Sequence, residues 1–322
     1  LEFFYLFRTP QDGIIEGHLH LIDIHIPKDG LSGSQYKVTG TFCALDWSLQ
    51  QKDPSKVPLF EDIIRDSPMC GVTKMTADLY EVAESSRAFD LELRNSTYQE
   101  QLRKREETKH LPQGAPIPIE RSIPPSLLVF HESRCGSTLV SNLLASFSPE
   151  SSKVYSEAAA PLRALEACEF GSSCNPDSHK QLIDDVFYMM GRTHRRKPEQ
   201  YVFYKLQSKA TRYIQLLEDA MPQHTVPWMY IYRDNNHVMM SHFQGSVVDP
   251  KSEQVNVLGQ KKAPLCLENY GSPDQPQILK ELVAAQERKV ELLSPEEYCA
   301  AHLVSRRLTF FFAGCRYWSP LY

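Results

Sequence analysis

Gly136, Ser137 and Thr138 stand between a short apolar run, Ser126-Leu127-Leu128-Val129-Phe130, and a stretch in which apolar residues recur at three- and four-residue spacings, Thr138 to Ala145. A buried strand, a short loop with one Gly, two hydroxyl residues and then a helix is the order that presents backbone N–H groups to a phosphate. Gly136 lets the backbone approach a ligand closely. Ser137 and Thr138 add hydroxyl donors at the helix start, where the dipole favours an anion. Arg134 supplies a cation inside the same loop. Further on, Trp228-Met229-Tyr230-Ile231-Tyr232 runs into Arg233, which can fork onto a phosphate with two donors. Ser241 follows about two helical turns later. Two plainer readings stay open. Gly-Ser occurs in many α/β loops, and Arg233 could pair with its neighbour Asp234 while Ser241 faces solvent.

The loop is not that of a kinase or nucleotidase, which needs G-x-x-x-x-G-K-[ST]. No Lys follows Gly136, no Gly lies five residues before it, and the strand that would carry a magnesium-holding Asp ends in Arg233. A γ-phosphoryl group normally has its charge neutralised by Mg²⁺. A sulfuryl group carries less charge, so side-chain cations suffice for it.

These residues need a scaffold of alternating strands and helices. After Ser126–Phe130 a second strand is expected at Tyr201–Lys205, with a helix near Thr211 to Met221. A third is expected at Trp228–Tyr232, with a helix through Met240. That order implies an α/β fold with a parallel sheet and right-handed crossovers, whose ligands bind at the C-terminal strand ends. Upstream, residues 1–95 look β-rich: His18 to Ile26 reads as a strand closed by Pro27 and Asp29-Gly30, and Tyr36 to Leu45 could pair with it. Thr97 to His110 reads as an exposed, charge-paired helix. Five prolines between Pro112 and Pro125 mark a boundary. We therefore expect an N-terminal α+β region over 1–120, a second domain over 121–303, and an atypical tail over 304–322 in which the helical period is lost. A long helix is expected from Gln277 to Leu293.

Composition excludes some classes. The 322 residues are 42% hydrophobic and 23% charged, with a formal net charge of −5. This is an ordinary globular composition, and a general nucleic-acid binder would carry a basic surface. No stretch approaches the roughly 20 apolar residues needed to span a bilayer. Without an initiator Met the chain reads as a fragment. Eight Cys without a C-x-x-C pair argue against a zinc ribbon. His18 and His20 share one strand face and His25 takes the other, with no obvious further ligand, so no metal site is expected. Asn95-Ser96-Thr97 is a glycosylation sequon.

The segment Leu128 to Leu139 resembles the 5′-phosphosulfate loop of the sulfotransferases that use 3′-phosphoadenosine 5′-phosphosulfate (PAPS). Tyr230 to Phe243 resembles their 3′-phosphate segment. The two occur in family order, about 100 residues apart, and the resemblance covers roughly 121–300. It implies a P-loop-like sulfotransferase core that moves a sulfuryl group from PAPS to a hydroxyl or amine acceptor without a metal. Ser133, Arg134, Cys135, Gly136, Ser137, Thr138, Arg233 and Ser241 would hold the donor. Cytosolic members carry Lys in the loop and a His base after the second strand. Here Arg134 and Lys205-Leu206-Gln207 stand instead, and Gln207 cannot act as a base. The branch with Arg in the loop uses a Glu after the first helix, and Glu157 is placed similarly. The resemblance thus makes Glu157 the general base, Arg134 the partner of the phosphosulfate, and Lys205 the stabiliser of the leaving oxygen. Glu157 could equally be a helix N-terminal carboxylate. His131, His237 and His242 flank the motifs as alternative contacts, and Leu258 to Lys262 is a weak substitute for the family's glycine-rich Arg-Lys-Gly segment. The acceptor could be a carbohydrate, a small molecule or a protein. The sequon and the Arg loop point toward a secretory lumen, with the cytoplasm left open. Competing readings are a PAP/PAPS-binding module that has lost catalysis and, remotely, a P-loop phosphotransferase.

Overall fold

The computed structural model describes residues 9–107, 121–169, 174–194, 201–221, 226–244, 265–267, 269–273 and 275–315. The Pro-rich stretch 111–118 and the Leu258 to Lys262 segment lie outside these. The chain forms two compact units, each assembled from separated stretches. Leu1–Val129, Thr138–Leu206 and Leu216–Trp228 make the first, and Phe130–Ser137, Gln207–Gln215 and Met229–Tyr322 the second. This grouping cuts across the consecutive stretches 1–120, 121–303 and 304–322 expected from the sequence.

The first unit opens with α1 (Pro10–Ile15), closed at its start by a capping box between Thr9 and Asp12. Strands β1 (His20–His25) and β2 (Thr39–Cys43) pair antiparallel, and β3 (Met75–Asp78) adds to β2. Between them lie α2 (Ser48–Lys52), α3 (Phe60–Asp66) and α4 (Cys70–Thr73), tied by the Cys43–Cys70 disulfide. The region expected to be β-rich therefore holds more helix than strand among its described residues. Helix α5 (Leu79–Glu107) then runs straight into the polar stretch expected to be helical.

The chain continues as β4 (Leu127–His131), α6 (Ser137–Phe147), β5 (Ser152–Ser156), α7 (Ala159–Glu166), α8 (Pro176–Met190), β6 (Tyr201–Lys205), a 3-10 segment (Ser208–Tyr213), α9 (Ile214–Ala220) and β7 (Trp228–Ile231). The strands form a sheet in the order β5-β6-β4-β7, with β5 and β4 both parallel to β6. The α/β class with a parallel sheet is thus as expected. Strand β5 is an addition. Its residues Ser152-Lys153-Val154-Tyr155-Ser156 are all buried although three are polar, so no apolar run announces it.

Aromatic rings fill the first unit's core. Tyr155 stacks on Tyr204 with ring centroids 5.1 Å apart, and Trp47, Phe60 and Phe187 surround them at 4.8–5.0 Å. Such pairs add about 0.5–1.5 kcal/mol each beyond area burial. Helix α6 packs by an unusual face. Its small residues Ser141 and Ala145 are buried, Ala145 against Val154 and Phe203, while Leu139, Leu143 and Phe147 remain over 60% exposed. Small side chains there let the helix backbone lie close to the sheet.

The second unit contains α10 (Asn235–Gln244), a 3-10 turn (Leu265–Leu267), α11 (Gln277–Ala284), a further 3-10 turn (Val290–Leu292) and α12 (Pro295–Cys315). Two expectations are corrected here. The helix from Gln277 stops at Ala284, and Glu287 takes a left-handed backbone (φ 55°), which an α-helix cannot continue through. The helical period does not fail beyond Leu303. Helix α12 runs on to Cys315, because Cys299 and Leu303 pack in one cluster with Val238 and Cys266, and a disulfide joins Cys266 to Cys299. Tertiary packing overrides a weak local pattern.

Candidate functional site

The expected residues follow strand ends. Ser133 to Ser137 follow β4, Glu157 follows β5, Lys205 closes β6 and Arg233 lies two residues past β7. In the first unit, the backbone N–H of Glu157 still donates to the carbonyl of Lys205 at 2.7 Å, so Glu157 is one extra rung of the β5–β6 ladder. Its φ of 55° then turns the chain toward α7. A left-handed Glu is uncommon and costs about 1–3 kcal/mol, so this residue is held by its surroundings. The carboxylate meets the ammonium of Lys205 in an ion pair. Lys205 is 1% exposed, whereas the Glu157 side chain keeps 35% of its surface. Glu157 directly precedes Ala158, the N-cap of α7.

In the second unit, the loop after β4 carries two left-handed residues, Arg134 (φ 64°) and Gly136 (φ 92°), before α6 begins at Ser137. Alternating handedness turns successive N–H groups to one side, the geometry of an anion-binding nest. A Cβ on Gly136 would meet nothing within 4 Å, so it is backbone conformation that requires Gly here, and the loop face is open. Ser133 and Ser137 are buried, and Arg134 and Thr138 are exposed. Cys135 is a free thiol whose pKa is pushed up by burial, which disfavours the thiolate.

Past β7, Asp234 does not pair with Arg233. It caps α10, accepting from the N–H groups of Asn236 and His237 at 3.0 and 3.3 Å. Arg134 and Arg233 are both exposed, and neither makes an ion pair among the described residues. Ser241 sits half-buried within α10. Of the flanking histidines, His131 is buried with Nδ1 2.8 Å from the Glu132 carbonyl, His237 is exposed beside Asp234, and His242 is buried.

Sequence reasoning missed two residues. Glu132, 1% exposed, is gripped by the guanidinium of Arg307 through two bonds and approached by the Tyr230 hydroxyl at 3.4 Å. Arg307 also donates to the Arg233 carbonyl and lies 5.3 Å over the Tyr232 ring. One side chain on α12 thereby holds the side chain of Glu132, just past β4, and the backbone at Arg233, just past β7. Nothing in the spacing of Glu132 and Arg307, 175 residues apart, could have announced this.

Three disulfides join Cys43–Cys70, Cys168–Cys174 and Cys266–Cys299. Among the described residues, Cys168, Cys174 and His179 are the set close enough to hold a metal ion, but the two sulfurs are bonded to each other and His179 Nε2 lies 2.8 Å from the Ala164 carbonyl. Of the strand histidines, His20 accepts from Trp47 Nε1 at 3.4 Å and His18 stacks on His194 at 4.3 Å. No helix among the described residues is long and apolar enough to cross a membrane. Compared with known proteins, the chain matches no family model, no curated protein and no solved structure.

Proposed function

We propose that the protein is a PAPS-dependent sulfotransferase, with a P-loop-like core, acting on a hydroxyl or amine acceptor. The observation that carries the reading is the loop after β4, where left-handed Arg134 and Gly136 turn its amides outward just ahead of the α6 N-terminus. Exposed Arg134 and Arg233, with no ionic partner among the described residues, fit a polyanionic donor. No acidic side chain at the end of β7 invites Mg²⁺, since Asp234 is spent on capping α10.

PAPS supplies a sulfuryl group, whose sulfur bonds to the acceptor oxygen as the bridge to the 5′-phosphate breaks and its electron pair leaves with the phosphate. Glu157 takes the acceptor's proton. Lys205 donates to the departing oxygen and offsets its charge. The two meet in an ion pair, with Glu157 the more accessible. Arg134, Ser133, Cys135, Gly136, Ser137 and Thr138 position the phosphosulfate, and Arg233 with Ser241 the 3′-phosphate. Disulfide bonds persist in oxidising compartments, which favours a secretory lumen over the cytosol.

The test is thermal shift with 3′,5′-ADP against ATP plus Mg²⁺, followed by sulfate transfer from labelled PAPS to a panel of carbohydrate, phenolic and peptide acceptors. The proposal expects stabilisation by 3′,5′-ADP alone. Arg134→Ala and Arg233→Ala should each weaken it about tenfold to a hundredfold, the worth of a lost charged hydrogen bond. Glu157→Gln should retain binding and lose turnover. Binding without any transfer would mark a nucleotide-binding module instead, and magnesium-dependent ATP turnover would overturn the reading.

A further inference from the structure

The chain leaves α7 at Glu166 and enters α8 at Pro176, and three side chains of metal-binding types flank that connection. Cys168 stands two residues past α7, Cys174 directly before Asn175, the N-cap of α8, and His179 at the fourth position of α8. All three belong to the first unit. Both sulfurs and a ring nitrogen lie within 4.8 Å of one another.

The bridge between these two cysteines differs from the other two. Cys43, Cys70, Cys266 and Cys299 are each at most 4% exposed, whereas Cys168 and Cys174 are half-buried, within reach of a reductant. The Cys168–Cys174 bridge also spans a sequence separation of only 6, against 27 and 33. A short loop gives a disulfide the least chain entropy to hold it closed. His179 is already set as a ligand. Its ring is buried, and a carbonyl only accepts, so the Nε2 that lies 2.8 Å from the Ala164 carbonyl carries the ring hydrogen. That leaves the Nδ1 lone pair for a metal, with the ring oriented by a backbone carbonyl, as ligating imidazoles commonly are. Asn175 fixes the helix start from which this ring projects. Its side chain accepts from the N–H groups of Asp177 and Ser178 at 2.9 and 3.2 Å, and its own N–H donates to the Leu31 carbonyl at 2.8 Å. Around a tetrahedral zinc, with bonds of about 2.3 Å to sulfur and about 2.0 Å to nitrogen, ligand atoms stand roughly 3.5–3.8 Å apart. The nitrogen therefore has at most about 1 Å to close, and the sulfurs, once unbonded, must part by under about 2 Å.

We propose that Cys168, Cys174 and His179 form a redox-gated site for a divalent cation of the zinc class. A dithiol reductant supplies two electrons and two protons to the Cys168–Cys174 sulfur–sulfur bond and becomes a disulfide itself. The two thiols then lose their protons to solvent as the cation binds two thiolates and the neutral imidazole. With three protein ligands, the fourth position is left to water. Exchange with an oxidising disulfide re-forms the bond and releases the cation. Bound metal would staple the end of α7 to the start of α8. The site does not depend on the sulfotransfer reading, since none of its three residues was assigned a part there.

The test uses the full chain, treated under native conditions with rising concentrations of a dithiol. Alkylation and peptide mapping read which cysteines open, and Cys168 and Cys174 should open before the buried bridges. Cobalt(II) is then titrated without oxygen as a spectroscopic substitute for zinc. A single equivalent should bind with thiolate-to-metal charge-transfer absorption and the visible bands of a tetrahedral ion, and zinc should displace it. Chain that has not met the dithiol should show neither. Cys174→Ser should abolish the charge-transfer absorption, and His179→Gln, which can still donate to the Ala164 carbonyl, should weaken cobalt about tenfold or more. Melting followed by circular dichroism checks that each variant is folded. The site falls if this bridge resists the dithiol until the other two open, if the reduced chain takes up no cobalt, or if His179→Gln binds it as tightly as wild type. None of these readouts involves PAPS or 3′,5′-ADP, so failure of the site and failure of the sulfotransfer reading are told apart.

Discussion

Glu157→Gln and Lys205→Met should differ sharply in their cost to stability, although they remove the two halves of one ion pair. Lys205 is 1% exposed and Glu157 keeps 35% of its side-chain surface. With Gln at 157, the ammonium remains buried without its counter-charge. Breaking a buried pair from one side costs about 3–5 kcal/mol, and the partial exposure of Glu157 places this case near 3 kcal/mol. With Met at 205, an unbranched apolar chain refills the buried space and the remaining carboxylate can hydrate, so the cost should stay below about 1 kcal/mol. For a cooperative unit of about 150–250 residues these figures become falls in melting temperature of about 6–12 °C and below about 4 °C. The double variant should recover most of the loss of Glu157→Gln, since it leaves no buried charge. Melting followed by far-UV circular dichroism at pH 7 measures all three. The reasoning fails if Lys205→Met is the costlier change, or if the double variant melts no higher than Glu157→Gln.

Asp185 carries a pH prediction. It is fully buried, accepts from Tyr36 at 2.5 Å and pairs with Arg87, and burial raises its pKa to about 6 against those partners. A raised carboxyl pKa favours the fold below about pH 4, and that contribution is lost as pH rises through 6, up to about 3 kcal/mol. Asp185→Asn should therefore flatten the decline in urea midpoint between pH 4 and 6, and an unchanged slope would count against it. The Cys266–Cys299 bridge closes a loop with a sequence separation of 33, so replacing both by Ser should cost about 2–4 kcal/mol and loosen α12. Urea denaturation of that variant should show the loss, and an unchanged midpoint would count against the bridge's contribution.

The sequence announced what depends on local physics. The runs Ser126–Phe130 and Tyr201–Lys205 read as strands, and in both places most of the strand residues are buried. Gly136 read as a loop residue because its freedom was needed. Strand β5 stayed hidden because Ser152, Lys153 and Ser156 are buried by tertiary partners, Lys153 lying 5.3 Å over the Trp47 ring. Helix α12 was misjudged for a related reason: what holds it is a disulfide and the α10 face, neither visible in its own period. At the candidate site, the positions of Arg134, Lys205 and Arg233 could be read from strand ends, whereas Glu157 was expected only from the family resemblance. The left-handed backbone of Arg134 and Glu157 could not, because nothing in either residue type asks for it. Nor could Glu132, whose partner lies at the far end of the chain.

That last pairing bears on how the protein is made. Glu132 leaves the ribosome long before Arg307, with 175 positions between them, which at about 5–20 residues per second is roughly 9–35 s of translation. Until α12 has been synthesised, the buried carboxylate lacks its guanidinium partner, and the loop that follows β4 must wait in the nascent chain without that clamp. Assembly of the second unit thus waits on the synthesis of α12. A chain released early, before Arg307, would carry every residue of both recognisable motifs and still lack the fastening that joins them.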